Sequence, residues 1–147
     1  MSPAATHPME ILVVEDSPGA VRLTIEALKE AELANHLSVV EDGDHALDFL
    51  YRRAPYSNVP RPDLILLDLN LPRKNGRDVL DVIKRDPALS SIPVIVLSSS
   101  QAASDVNRCY KLHANCYLVK PVEFSDFVGV IRGLEHFWLH VATLPVQ

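Results

Sequence analysis

Chemically capable side chains stand directly after five apolar runs: Glu15 and Asp16 after 11–14, Glu41 and Asp42 after 37–40, Asp68 after 64–67, Ser98 after 94–97, and Lys120 after 117–119. Each alone has an ordinary explanation, since a strand-end acid is usually a cap or a surface group, a serine in SSS a turn residue, and a lysine a solvated cation. The recurrence is what carries information. If Glu15, Asp16 and Asp68 converge, each close pair repels by roughly 4 kcal/mol at about 4 Å with an effective dielectric near 20, so a positive charge must sit among them. Oxygen-only donors without His or Cys suit a hard, hydrated cation, Mg²⁺ before Zn²⁺. An ionised Asp68 beside such a cation can attack phosphorus and give an aspartyl phosphate, with Lys120 supplying a second positive charge to the phosphoryl oxygens.

That convergence requires a particular architecture. The five runs are continuous rather than alternating, as expected of parallel strands covered on both faces, and helical patterns lie between them. The pattern predicts an α/β fold with one five-stranded parallel sheet and five helices; if the sheet is doubly wound and flavodoxin-like, its strand order is 2-1-3-4-5. In that order the first and third strands flank the crevice at the carboxyl ends, where open α/β sheets bind their ligands. Glu15, Asp16 and Asp68 then meet there, with Ser98 and Lys120 arriving from one side. Glu41 and Asp42 follow the edge strand and are expected to be solvated surface acids. Ser17-Pro18 opens the first helix and Asp44 can cap the second. The third runs from Gly76 to before Pro87, the fourth covers about 102–112, and the fifth starts near Glu123. Segment 51–62, with Pro55, Pro60 and Pro62, reads as an extended surface loop.

The totals fit one globular domain, expected at 9–140 between short tails at 1–8 and 141–147. The 147 residues are 48% hydrophobic and 22% charged. Every apolar stretch is far shorter than the roughly 20 residues of a spanning helix, and 1–8 has no signal-peptide pattern, so a cytoplasmic protein without membrane contact is expected. A net charge of −5 argues against nucleic-acid binding, which needs clustered Lys and Arg. Cys109 and Cys116 form no zinc pattern and read as plain thiols. His136 and His140, spaced i, i+4, lack a third ligand within reach in sequence.

The segments ILVVED, DLILLDLNLPRKNG, PVIVLSSS and YLVKP resemble the successive signatures of the receiver domain of two-component response regulators, over about residues 9–135. The resemblance implies a phosphoacceptor switch that catalyses its own Mg²⁺-dependent phosphorylation and dephosphorylation, rather than a turnover enzyme. By position Asp68 is the acceptor, and Glu15, Asp16 and the backbone carbonyl of Asn70 join it as metal ligands. Ser98 is the hydroxyl switch residue, Lys120 and Ser99 are phosphate contacts, and Tyr117 is the aromatic that repacks on phosphorylation. Pro121 stands at a customary cis proline, and Gly76 where the loop after the acceptor needs glycine freedom. Glu15 stands where Asp is frequent and Ser98 where Thr is frequent; both keep the needed oxygen.

The proline-containing loop and the ending EHFWLHVATLP are similar to those of small regulators paired with bacterial and cyanobacterial phytochromes. This implies a sensor histidine kinase, of bacteriophytochrome type, as phosphodonor. It also implies a homodimer through the fourth helix, fifth strand and fifth helix, where Phe127, Ile131, Leu134 and Trp138 form one apolar stripe and Val130, Phe137 and Val141 a surplus beside it. A haloacid-dehalogenase-like phosphatase also uses a strand-end aspartate, but Leu69 and Asn70 follow Asp68 where that family has a second aspartate two residues on. An unphosphorylated pseudo-receiver scaffold conflicts with the intact acids, Ser98 and Lys120.

Overall fold

The structure is a computed structural model that describes residues 9–29, 35–72 and 74–120. Its elements are β1 (Met9–Val14), α1 (Pro18–Lys29), β2 (Asn35–Val40), α2 (Gly43–Leu50), β3 (Leu64–Asp68), α3 (Gly76–Arg85), β4 (Val94–Ser98), α4 (Ala103–Lys111) and β5 (Cys116–Val119). All adjacent strands pair in parallel, in the order β2-β1-β3-β4-β5. The expected fifth helix, the Pro121 peptide, His136, His140 and the apolar stripe around Trp138 lie outside the described residues.

Alternate residues of each apolar run face opposite sides of the sheet, and both sides are buried. Leu12, Val14, Ile65, Leu67, Val94 and Val96 pack with Ala46, Leu47 and Phe49 of α2, Val79, Leu80 and Ile83 of α3, and Cys109 of α4. Ile11, Val13, Leu64, Leu66, Ile95 and Leu97 pack with Leu23 and Leu28 of α1. This double coverage is why the runs are apolar without a break. Removing one fully buried member, as in Ile65→Ala, costs about 2–5 kcal/mol through lost burial and the cavity left behind.

The helix starts show where local chemistry decides. Ser17 Oγ accepts from the Ala20 N–H (3.3 Å) ahead of Pro18, as expected. The second helix is capped by Asp42, not Asp44: the Asp42 carboxylate accepts from the His45 N–H (2.7 Å) and pairs with His45 Nδ1 (2.8 Å). Asp42 is therefore buried rather than a solvated surface acid, whereas Glu41 is exposed. Asn75 caps α3 by accepting from the Asp78 N–H (3.1 Å).

Segment 51–62 carries no regular element, in keeping with its prolines, and its Ala54–Pro55 bond is cis. It is nonetheless fastened to the domain. Tyr56 and Val59 pack on the core, the Tyr56 ring lying 5.5 Å from that of Phe49. Arg61 donates to the Ala88 carbonyl (2.5 Å) and to Ser91 Oγ (3.3 Å). Proline excludes ladder hydrogen bonds but leaves side-chain packing open.

Candidate functional site

Strand register brings the polar residues level. Val14 of β1 pairs with Leu67 of β3, so Glu15 and Asp68 emerge side by side from adjacent strands. Asp68 and Ser98 are the last residues of β3 and β4, and Lys120 follows β5, its N–H donating to the Ser98 carbonyl (2.7 Å). One oxygen from each of Glu15, Asp16 and Asp68 lies within 4.8 Å of the others. Glu15 and Asp68 are buried while Asp16 is exposed. The Lys120 ammonium donates to Glu15 Oε1 and stands 3.6 Å from Asp68 Oδ2.

Three carboxylates and one ammonium sum formally to −2 at the mouth of a crevice. Burial pushes the Glu15 carboxyl above its ordinary 4.5, the Lys120 hydrogen bond pulls it back down, and the neighbouring Asp68 pushes it up again. An all-oxygen set with that charge fits a hard divalent cation and has no donor that would favour a softer one.

The supports behind these side chains are close-packed. Asp68 Oδ1 accepts from the Asn70 N–H (3.3 Å). Gly76, the first residue of α3, donates its N–H to the Leu69 carbonyl (3.0 Å), and a Cβ there would lie 2.3 Å from the Asp68 carbonyl oxygen. Among the described residues no glycine has positive φ. Gly76 is thus required for space against the acceptor's backbone, which corrects the expectation of conformational freedom. Ser98 is buried, and its Oγ accepts from the Ser100 N–H (3.1 Å). Tyr117 is buried too, its hydroxyl donating to the Ser100 carbonyl (2.9 Å) and its N–H to Tyr110 Oη (3.1 Å). Ser99 is exposed.

The chain matches the response regulator receiver domain family over residues 11–132. It belongs to that family. A curated relative, the response regulator Rcp1 of Synechocystis sp., is 47% identical over 99% of both chains. Among solved structures, the phosphorylated cyanobacterial phytochrome response regulator RcpA superposes with a TM-score of 0.92 at 45% identity, covering 95% of this chain and 100% of that one. The Mn²⁺-bound form of Rcp1 superposes with a TM-score of 0.91 at 47% identity and the same coverage.

In this receiver the structure gathers Glu15, Asp16, Asp68, Ser98 and Lys120 at one end of the sheet, as the spacing of the runs implied, and keeps Asp42 apart as a cap. Sequence reasoning missed Ser100, Asp105 and Arg77. Ser100 Oγ donates to Asp105 Oδ2 (2.6 Å), and Arg77 Nη2 to Asp105 Oδ1 (2.9 Å). Their only signal was an Arg and an Asp each in the first turn of a helix, a pattern too common to stand out. Among the described residues no helix is long and apolar enough to cross a membrane.

Proposed function

We propose that the receiver is a phosphorylation switch whose acceptor is Asp68. A carboxylate oxygen of Asp68 forms a bond to phosphorus while the P–N bond of a phosphohistidine in the donor kinase breaks, giving an aspartyl phosphate and the free imidazole. The observation that carries this reading is the meeting of Glu15, Asp16 and Asp68 within 4.8 Å, with Lys120 beside Asp68. Mg²⁺, held by Glu15, Asp16, Asp68 and the Asn70 backbone carbonyl, offsets the charge of the acids and of the transferring oxygens when bound. Lys120 holds a phosphoryl oxygen through its ammonium, and Ser98 and Ser99 add hydroxyl contacts. The same residues position water for the loss of the phosphoryl group.

The switch is read through Ser98 and Tyr117 at the face of α4 and β5, where two copies form a dimer. Exposed Tyr110 and Val119 on that face support the assignment. The names of the relatives, phytochrome response regulators among them, support a phytochrome-type histidine kinase as donor. The domain spans 9–140.

Acetyl phosphate with Mg²⁺ is expected to add one phosphoryl group to the chain, and none to Asp68→Asn or in the presence of a chelator. Undiminished labelling of Asp68→Asn, read by intact mass, would overturn the assignment.

A further inference from the structure

Residues 99–102, between the end of β4 and the start of α4, carry no regular element, so side-chain bonds set their path. Ser100 is the centre of that path, with every polar function engaged. Its N–H donates to Ser98 Oγ (3.1 Å), its carbonyl accepts from the Tyr117 hydroxyl (2.9 Å), and its hydroxyl donates to Asp105 (2.6 Å) while accepting from the Ala102 N–H (3.3 Å). Asp105, in the first turn of α4, is gripped on its other oxygen by Arg77 (2.9 Å), in the first turn of α3. Next to Arg77 is Gly76, packed on the backbone of Asp68.

We propose that the Arg77–Asp105 ion pair is a positioning element of the switch: from α3 and α4 it fixes Ser100, and through Ser100 both the Ser98 hydroxyl and the Tyr117 ring. Because the Ser100 N–H occupies an acceptor site on Ser98 Oγ, the Ser98 hydrogen is left to donate into the crevice. The carbonyl of the same residue holds Tyr117 inward. One carboxylate thus governs both groups that read the phosphate.

The pair is less exposed than the ion pair further along α3. Arg77 and Asp105 are each 27% exposed, against 80% and 38% for Arg85 and Asp81, an i, i+4 pair within α3. The Ser100 hydroxyl, followed by Arg77, holds the Asp105 carboxyl below its ordinary 3.8, so it is ionised at neutral pH. Arg77 Nε is buried without a hydrogen-bond partner among the described residues, so the arrangement is not one optimised for stability alone.

This inference rests on the acceptor role of Asp68, and its test separates the two. The full chain carries 3-fluorotyrosine at its four tyrosines, in the wild type, Asp105→Asn, Arg77→Gln, the double variant, and Arg85→Gln as control. Asp105→Asn and Arg77→Gln are expected to shift or broaden the Tyr117 resonance before any phosphodonor is added. They should also slow uptake from acetyl phosphate about three- to ten-fold, with the double variant no slower than Asp105→Asn. Mn²⁺ affinity, read by paramagnetic resonance, should stay within about two-fold of wild type, because the acids are untouched. An unmoved Tyr117 resonance with wild-type uptake, additive losses in the double variant, or a matching fall in Mn²⁺ affinity overturns the proposal. Where either variant does not fold, Ser100→Ala carries the test, since it cuts the link and keeps the ion pair; an unchanged Tyr117 resonance there is equally decisive against it. Absence of uptake in the wild type would overturn the acceptor role of Asp68, while the Tyr117 readout still decides the positioning role.

Discussion

The two ends of the sheet both enclose charge, and they treat it in opposite ways. At the amino ends of the strands three charged side chains are answered by groups of the chain itself. The Lys84 ammonium donates to the Ser90 (3.0 Å) and Ile92 (2.9 Å) carbonyls, Arg61 grips Ala88 and Ser91, and the Asp63 carboxylate accepts from the Glu10 N–H (2.9 Å). At the carboxyl ends Lys120 meets Glu15 and Asp68, and Asp16 stands beside them as a third acid. Charge answered by backbone carbonyls fastens turns and needs nothing further. Charge left in excess is unstable alone and marks where an outside cation and a phosphoryl group are recognised.

The comparison breaks most visibly at Lys120. Lys120→Ala leaves three acids without the chain's own cation, so phosphorylation of Asp68 should persist with Mg²⁺ while the phosphate loses its charged contact. Phosphorylation-dependent dimer tightening is expected to fall by about ten-fold or more, read by sedimentation with and without beryllofluoride. Full tightening in that variant would show that Lys120 belongs with the structural cations of the other end.

A second test moves the acceptor's own support. Gly76→Ala forces a methyl to within 2.3 Å of the Asp68 carbonyl oxygen, and is expected to destabilise the domain by about 3 kcal/mol in urea denaturation. A loss under half that size would mean the start of α3 shifts freely, and the tight backing of Asp68 would be wrong.

At the quiet end, Lys84→Met removes two charge-assisted hydrogen bonds, at an expected cost of about 2 kcal/mol with no change in phosphorylation. The effect carries a pH signature. Burial lowers the Lys84 ammonium from its ordinary 10.5, so in the window just below that value the unfolded chain binds more protons than the folded one. Wild-type stability should therefore gain from Lys84 as pH rises through that window, and Lys84→Met should lack the gain. Parallel pH curves for the two proteins would refute it.

The smallest effect separates the glycines. Gly19, early in α1, has its nearest neighbour 3.9 Å from a built Cβ, so Gly19→Ala should be neutral to stabilising by about 0.5–1 kcal/mol in the same denaturation. Destabilisation there would remove the contrast with Gly76.

What was legible in the sequence follows the same division. The strands and the gathering of Glu15, Asp16, Asp68, Ser98 and Lys120 could be anticipated because unbroken apolar runs fix strand position, and the residue after each run is then placed by topology. Asp42 and Asp44 could not be told apart as caps, since they flank one glycine. What separates them is the approach of Gly43 to the Lys74 carbonyl, 2.1 Å from a built Cβ, a contact distant in sequence. Lys84, Arg61 and Arg77 were silent for a related reason: cations that bond carbonyls or a lone acid across loops follow no periodicity. The loop at 51–62 was read correctly as irregular and incompletely as surface, because prolines report on the backbone and not on where Tyr56 lodges.

Lys120 and Glu15 touch across 105 residues of chain, and Asp68 lies between them in sequence. A protein emerging from the ribosome therefore exposes its acceptor aspartate well before it can use it. Until β5 has been made and has docked beside β4, the carboxylates have no lysine to face, and a chain halted after α4 carries Asp68 as an ordinary acid. The competence to receive a signal is acquired late in synthesis, with the last strand to join the sheet.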